Sequence, residues 1–204
     1  MRLRRLLGAA AAATLAAALW WRKSPSACPY SQRFWVEAPH PIITRERLRS
    51  VLRPEAGERL LEIGVGTGYY GLGLAEWVGP EGTLELFDLQ QEFLDHVMRA
   101  AGERDLRNLV PTQGDATALP YEEASVDAVI LTAVLGEVPD SAAALREIHR
   151  VLKPTGRLVV GELFGDPHFT TRKSLERLGA AAGLQLTDIS GNWFGYFARL
   201  ARAT

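Results

Sequence analysis

Apolar residues in this chain come in short runs that alternate with amphipathic stretches. Arg59–Ile63, Thr83–Asp88, Val110–Gln113, Val126–Leu131 and Gly156–Gly161 read as strands. Tyr70–Val78, Gln91–Ala101 and Ser141–Leu152 have helical periodicity, with stops at Gly79-Pro80, Gly102 and Lys153-Pro154. Upstream, Thr44–Leu52 also reads as a helix, with Thr44 as candidate N-cap and Pro54 beyond its end. Strands that alternate with helices predict an α/β, doubly wound parallel sheet covered on both faces. The pattern changes near the C-terminus, where helix Ser174–Ala182 leads to strands Leu184–Asp188 and Tyr196–Leu200. About seven residues separate these two strands, too few for a crossover helix, so they must pair as an antiparallel hairpin. The expectation is therefore a seven-stranded, mostly parallel sheet with a C-terminal antiparallel hairpin.

Composition bounds this picture. The 204 residues suffice for one such domain with a real core, and 47% hydrophobic against 23% charged residues is a globular balance. The net charge of -1 hides an asymmetry: residues 1–23 carry five basic side chains and no acid, leaving 18 basic against 24 acidic side chains in the rest. A domain that acidic lacks the footprint for gripping a phosphate backbone, so no nucleic-acid partner is expected. Cys28 is the only cysteine, which excludes an intrachain disulfide and a multi-thiolate zinc site; no metal site is expected. Cys28 itself reads as an unremarkable linker thiol.

The N-terminus raises a membrane question. Leu6–Trp21 is an uncharged run of 16 residues, eight of them Ala, between Arg2, Arg4 and Arg5 on one side and Arg22-Lys23 on the other. As an apolar helix it would measure about 24 Å against a hydrocarbon core of roughly 30 Å. Trp20-Trp21 followed by Arg22-Lys23 suits an interfacial belt with snorkelling cations. Residues 6–21 thus read as a membrane anchor. The alternatives are a cleaved signal peptide spanning residues 1–26, which Arg22 and Lys23 disfavour at the cleavage region, and a soluble Ala-rich helix. The expected organisation is an apolar segment over 1–23, a proline-rich linker and lid with one helix over 24–53, and the main domain over 54–204.

The candidate chemistry begins at Glu62-Ile63-Gly64-Val65-Gly66-Thr67-Gly68, between the first strand and its helix. Glycines there allow a tight turn and let a ligand approach the backbone beside amides at a helix N-terminus. Dinucleotide enzymes share such turns, but their spacing asks for glycine at 69, where this chain has Tyr69. Asp88 ends the second strand, 20 residues after Gly68, where a carboxylate can accept ribose hydroxyls. Gly114-Asp115-Ala116 follows the third strand.

With these motifs in this order, and with Leu152-Lys153-Pro154-Thr155-Gly156-Arg157, residues 42–200 resemble the class I S-adenosylmethionine-dependent methyltransferases, a Rossmann-like group. The resemblance implies that Gly64, Gly66 and Gly68 cradle the methionine portion of S-adenosyl-L-methionine while Glu62 helps hold its amino end. It places Asp88 on the ribose and Leu89 against adenine. Asp115 falls on the adenine amino group, the Ala116 amide on the ring, and Thr132 at the methionine moiety. A nicotinamide-dependent reductase and a non-catalytic cofactor-binding membrane protein are the alternatives.

Methyl transfer from a sulfonium needs alignment and exclusion of water more than acid catalysis, so the lack of a triad decides nothing. The loop after strand four, Thr132-Ala133-Val134-Leu135, lacks the Asn/Asp-Pro-Pro-aromatic motif of amide and adenine N-methyltransferases. No cysteine in the domain can serve as the nucleophile of cytosine C5 enzymes, and no carboxylate set resembles a catechol enzyme's magnesium site. A small, apolar or lipid-like acceptor remains. Its pocket is expected over the C-terminal strand ends, under a lid that offers Tyr30, Phe34, Trp35, Glu37 and His40. Further candidates are Gly136-Glu137 after strand four and Glu162, Asp166 and His168 after strand five. His40 and His168 are weak candidates for a base; Glu37 and Glu162 are weak candidates for holding an amino group. Because S-adenosylmethionine is made in the cytosol, an active domain is expected to face it.

Overall fold

A computed structural model describes residues 25–35 and 41–203. The apolar segment over 1–23 lies outside these residues. Among the described residues no helix is long and apolar enough to cross a membrane.

The elements follow as α1 (Arg45–Leu52), β1 (Arg59–Ile63), α2 (Gly71–Val78), β2 (Thr83–Asp88), α3 (Gln91–Glu103), β3 (Leu109–Gln113) and β4 (Val126–Thr132). Then come α4 (Ser141–Val151), β5 (Leu152–Leu163), α5 (Arg172–Ala181), β6 (Leu184–Asn192) and β7 (Gly195–Arg202). One seven-stranded sheet has the order β3-β2-β1-β4-β5-β7-β6. Pairing is parallel from β3 through β5, whereas β7 runs antiparallel to both β5 and β6. The strand order reverses between β1 and β4 at the centre of the sheet, which opens a crevice at the C-terminal strand ends.

Alternation within each strand divides the core in two. Leu60, Leu84, Leu86, Ile130 and Val159 point to one face and pack with Leu48, Leu74, Leu94 and Val97 of α1, α2 and α3. Leu61, Ile63, Phe87, Val129, Leu131 and Val160 point to the other and pack with Leu145 and Ile148 of α4 and Leu175 of α5. Both layers are closed to solvent, so truncating a central leucine such as Leu61 to alanine would cost about 2–5 kcal/mol. Pro111 is tolerated in β3 because that strand is an edge.

The sheet also fixes what lies above the crevice. Arg157 of β5 donates to both carboxylate oxygens of Glu58 at 2.7 Å and to the carbonyls of Leu52 and Arg53 at 2.6 and 3.1 Å. It thereby satisfies the C-terminal carbonyls of α1, whose cap Arg53 adopts a left-handed φ of 52°. At the other end of α1, Thr44 caps the Arg47 amide, and the Tyr70 hydroxyl donates to the Ile43 carbonyl at 2.5 Å. Residues 41–53 are thus pinned against the sheet.

Two expectations need correction. Strand five begins at Leu152 rather than Gly156 and extends to Leu163, because both of its neighbours hold it: Val126 of β4 meets Leu152, and Leu163 meets Gly195 of β7. The proline-rich segment is not wholly irregular either, since Tyr30–Trp35 forms a 3₁₀ turn that the Gln32 amide closes on the Pro29 carbonyl at 2.8 Å.

Candidate active site

The crevice holds a cavity of about 1080 Å³ that the glycine loop bounds on one side. Gly64, Gly66 and Gly68 all have positive φ, at 75°, 51° and 82°, a conformation that costs a residue with a Cβ about 1–2 kcal/mol. Space adds to this at Gly64, where a Cβ would lie 2.3 Å from Val134 of the loop after β4. Gly64 and Gly66 line the cavity, while Gly68 turns toward α3, with Val97 3.1 Å from the position of a Cβ.

Asp88 and Asp115 stand on the same side. Asp88 Oδ2 accepts from the Val65 amide at 3.0 Å and Oδ1 from the Gln90 amide at 2.9 Å. The Leu89 and Gly66 amides also interact favourably with this carboxylate, which places it against the backbone of the loop. Burial pushes this carboxyl up, against the pull of its amide donors. Asp115 is at the rim, where Thr117 donates its amide and hydroxyl to Oδ1 at 2.8 Å and holds the carboxyl low. Leu89, Ala116 and Thr132 complete this wall, and Thr132 Oγ1 is buried with no partner among the described residues.

Glu62 lies behind the wall. Its carboxyl is buried beneath the loop, with Oε2 unpartnered among the described residues and pointing to the first turn of α2, where a Cβ on Gly71 would come within 2.4 Å of it. Desolvation, with Asp88 adding repulsion, pushes it up to about 8. The structure brings Gly64, Gly66, Asp88, Leu89, Asp115, Ala116 and Thr132 to one cavity and sets Glu62 and Gly68 beside it. The orphaned Thr132 hydroxyl, a backbone cradle and the Asp88 carboxylate on a cavity of this size fit an S-adenosylmethionine-sized ligand. Tyr69 lines the mouth, edge-on to Tyr70 at 4.8 Å, and supplies bulk where a dinucleotide turn has glycine.

The opposite side is assembled from distant pieces. Residues 26–29 and 32 lie across the cavity. Gln90 fastens them, with Nε2 donating to the Cys28 carbonyl and Oε1 accepting from the Tyr30 amide, both at 2.9 Å. Tyr30 packs edge-on against Phe93 at 5.1 Å, and the Cys28 amide donates to Glu137 at 3.3 Å. Glu137, Asp166 and His168 line the same end, and the His168 amide donates to Asp166 Oδ1 at 2.6 Å. The loops that carry them touch at Gly136, where a Cβ would fall 1.8 Å from the His168 carbonyl.

Burial is the main cause that pushes Glu137 up to about 8, and repulsion from Asp166 adds to it. Asp166 is raised by burial as well. Glu162 is also pushed up to about 8, chiefly by desolvation, but lies behind the cavity, where Oε2 accepts from the Thr170 amide at 3.0 Å. Phe34 is largely exposed. Glu37, His40 and the Trp35 side chain lie outside the described residues.

Sequence reasoning missed two participants. Cys28 is in the cavity wall, its thiol raised by burial, rather than in a free linker. Gln90 is the fastener of the lid. Their contacts join residues 60 to 109 positions apart, and no local pattern carries that information. Among the described residues no group of His, Cys, Asp and Glu is placed to hold a metal ion.

Comparisons with known proteins point to a methyltransferase domain. A family profile described as a methyltransferase domain matches residues 61–160. The demethylmenaquinone methyltransferase of Lactobacillus johnsonii is 36% identical over 119 residues, which cover 58% of this chain and 49% of that protein. The chain thus spans about half the length of the curated relatives it matches. A methyltransferase structure from Aquifex aeolicus, described as S-adenosylmethionine-dependent, superposes with a TM-score of 0.78 at 17% identity, covering 85% of this chain and 98% of that one. The [4+2]-cyclase SpnF is also similar, with a TM-score of 0.64 and 26% identity over 72% of this chain and 57% of its own. These comparisons lend no support to a nicotinamide-dependent reductase. Motif order, sheet topology and relatives converge on the class I methyltransferase fold, and residues 61–160 match a methyltransferase domain.

Proposed function

We propose that this protein transfers a methyl group from S-adenosylmethionine to an apolar, quinone-like acceptor held at the β4–β5 end of the cavity. The observation that carries this reading is the two-sided cavity. A backbone cradle with the carboxylates Asp88 and Asp115 lines one part, and the rest of the lining includes the apolar Ile43, Tyr70, Val138 and Leu163 together with Glu137 and Asp166. Relatives named demethylmenaquinone methyltransferases support a ring-bearing lipid as the acceptor class.

Bound S-adenosylmethionine would supply a sulfonium-activated methyl group that a nucleophile displaces in line. Gly64 and Gly66 would hold its methionine part, Asp88 its ribose, and Leu89, Asp115 and Ala116 its adenine. The lid, fastened by Gln90 and Glu137, keeps water away from the transfer path. A hydroxylated ring loses a proton as it is methylated, and Glu137, Asp166 and His168 are the cavity groups that can receive it. Glu137 is mostly protonated at neutral pH, so its capacity as a base grows as pH rises through about 8.

The apolar run Leu6–Trp21 is consistent with anchoring the protein at a membrane with the domain in the cytosol. Incubating purified protein with methyl-labelled S-adenosylmethionine and a membrane lipid extract tests the reading. Label is expected in an organic-soluble product. Label transferred only to polar amines would overturn it.

A further inference from the structure

The turn between β6 and β7 carries an aromatic surface that the cavity does not use. Trp193 and Phe194 at its tip are 64% and 44% exposed, and Phe164 at the end of β5 is 55% exposed. They form one patch: Trp193 and Phe194 stack with centroids 3.4 Å apart, and Phe164 meets them edge-on at 5.7 and 6.2 Å. Phe169 continues the cluster inward to the buried Tyr196. A hairpin tip needs small or polar turn residues, so bulky aromatics there are not explained by folding.

The patch lies on the rim of the cavity. The Phe164 amide donates to the Phe194 carbonyl at 2.8 Å, while Leu163, Gly165 and Asp166 on either side of Phe164 line the cavity. The chain also reaches the domain at this mouth: Ser26–Pro29 line the cavity, and the uncharged run ends at Trp21. The five residues from Trp21 to Ser26 can span at most about 18 Å. A bilayer that holds Leu6–Trp21 therefore has the mouth, and the aromatic rim beside it, within reach.

We infer that Phe164, Trp193 and Phe194 form a bilayer-docking rim. They seat in the boundary between headgroups and acyl chains, where aromatic side chains are favoured, and turn the cavity mouth toward the lipid. A lipid-dissolved acceptor then passes into the cavity without crossing water. This inference rests on the proposed apolar acceptor and adds the route by which it arrives.

The test uses the full chain in a Cys28→Ser background, with an environment-sensitive fluorophore on Trp193→Cys or, at the opposite end of the sheet, on Glu81→Cys. Addition of phosphatidylcholine vesicles should blue-shift the label at 193 and make it quenchable by brominated acyl chains, with the label at 81 unchanged. No response at 193, or an equal response at both positions, overturns the inference. A blue shift without vesicles that grows with protein concentration also overturns it, because a second copy of the chain then covers the patch.

Activity gives an independent readout. Trp193→Ser combined with Phe194→Ser should lower methylation of a prenylated naphthoquinol in vesicles at least fivefold and leave methylation of the tail-free ring unchanged. Equal losses on both substrates, or none, count against docking. If the parent protein methylates neither, the acceptor reading fails, while the fluorescence result still decides the docking.

Discussion

The two sides of the cavity are built in opposite ways. The donor side comes from consecutive strand ends, is made largely of backbone, and has its carboxylates in defined hydrogen bonds: Asp88 with Val65 and Gln90, Asp115 with Thr117. The acceptor side joins the lid to the loops after β4 and β5, and its carboxyls repel one another. A ligand common to a family can be gripped by a local motif. The proposed acceptor would be met by residues the fold gathers from far apart, and SpnF shows how far the named chemistry can vary on this fold.

Four perturbations put this contrast to the test, and the largest probes the backbone character of the donor side. Gly64→Ala forces a Cβ into a left-handed residue and against Val134, and should lower stability by about 2–4 kcal/mol in chemical denaturation. Adding Val134→Ala should recover the steric part alone. Asp88→Ala should weaken S-adenosylmethionine binding by about 1–3 kcal/mol in calorimetry, with the Val65 and Gln90 amides left unpaired as well. Unchanged affinity would remove Asp88 from the site.

The third concerns the acceptor side and pH. Glu137 and Glu162 ionise near 8 in the folded protein but near their ordinary value of 4.5 when unfolded, so the native state holds more protons between those limits. Their contribution to stability is full below 4.5 and is lost as pH rises through about 8. Glu162→Gln should therefore raise the Tm at pH above 8 relative to the parent, by about 2–4 °C for each kcal/mol of relieved strain, with little change near pH 5. A parallel pH profile in both proteins would sink the claim. The smallest effect is expected at the exposed rim, where Asp115→Asn should weaken cofactor binding by less than about 1 kcal/mol.

The same contrast explains what the sequence made legible. Arg59–Ile63 and Thr83–Asp88 match their strands because apolar runs between turn residues need no tertiary information. The loop Glu62–Gly68 is readable because three glycines in seven residues signal a backbone conformation. The start of β5 was hidden: Lys153-Pro154-Thr155 resembles a helix stop, and only pairing of Leu152 with Val126 makes it strand. Pro29 marks a break in composition yet accepts the bond that starts a 3₁₀ turn. Cys28 is on the cavity only because Gln90 and Glu137 hold its backbone there.

That clasp has a kinetic meaning. The three hydrogen bonds that Gln90 and Glu137 make with Cys28 and Tyr30 contribute about 3 kcal/mol together, which would leave the lid open less than about 1% of the time. Such a latch would exclude bulk water when closed and let a ligand pass when open. Because Gln90 adjoins Leu89, the residue expected against adenine, the latch is set beside the nucleotide seat. Occupancy by the proposed donor and closure of the lid would thus be registered at neighbouring positions in the chain.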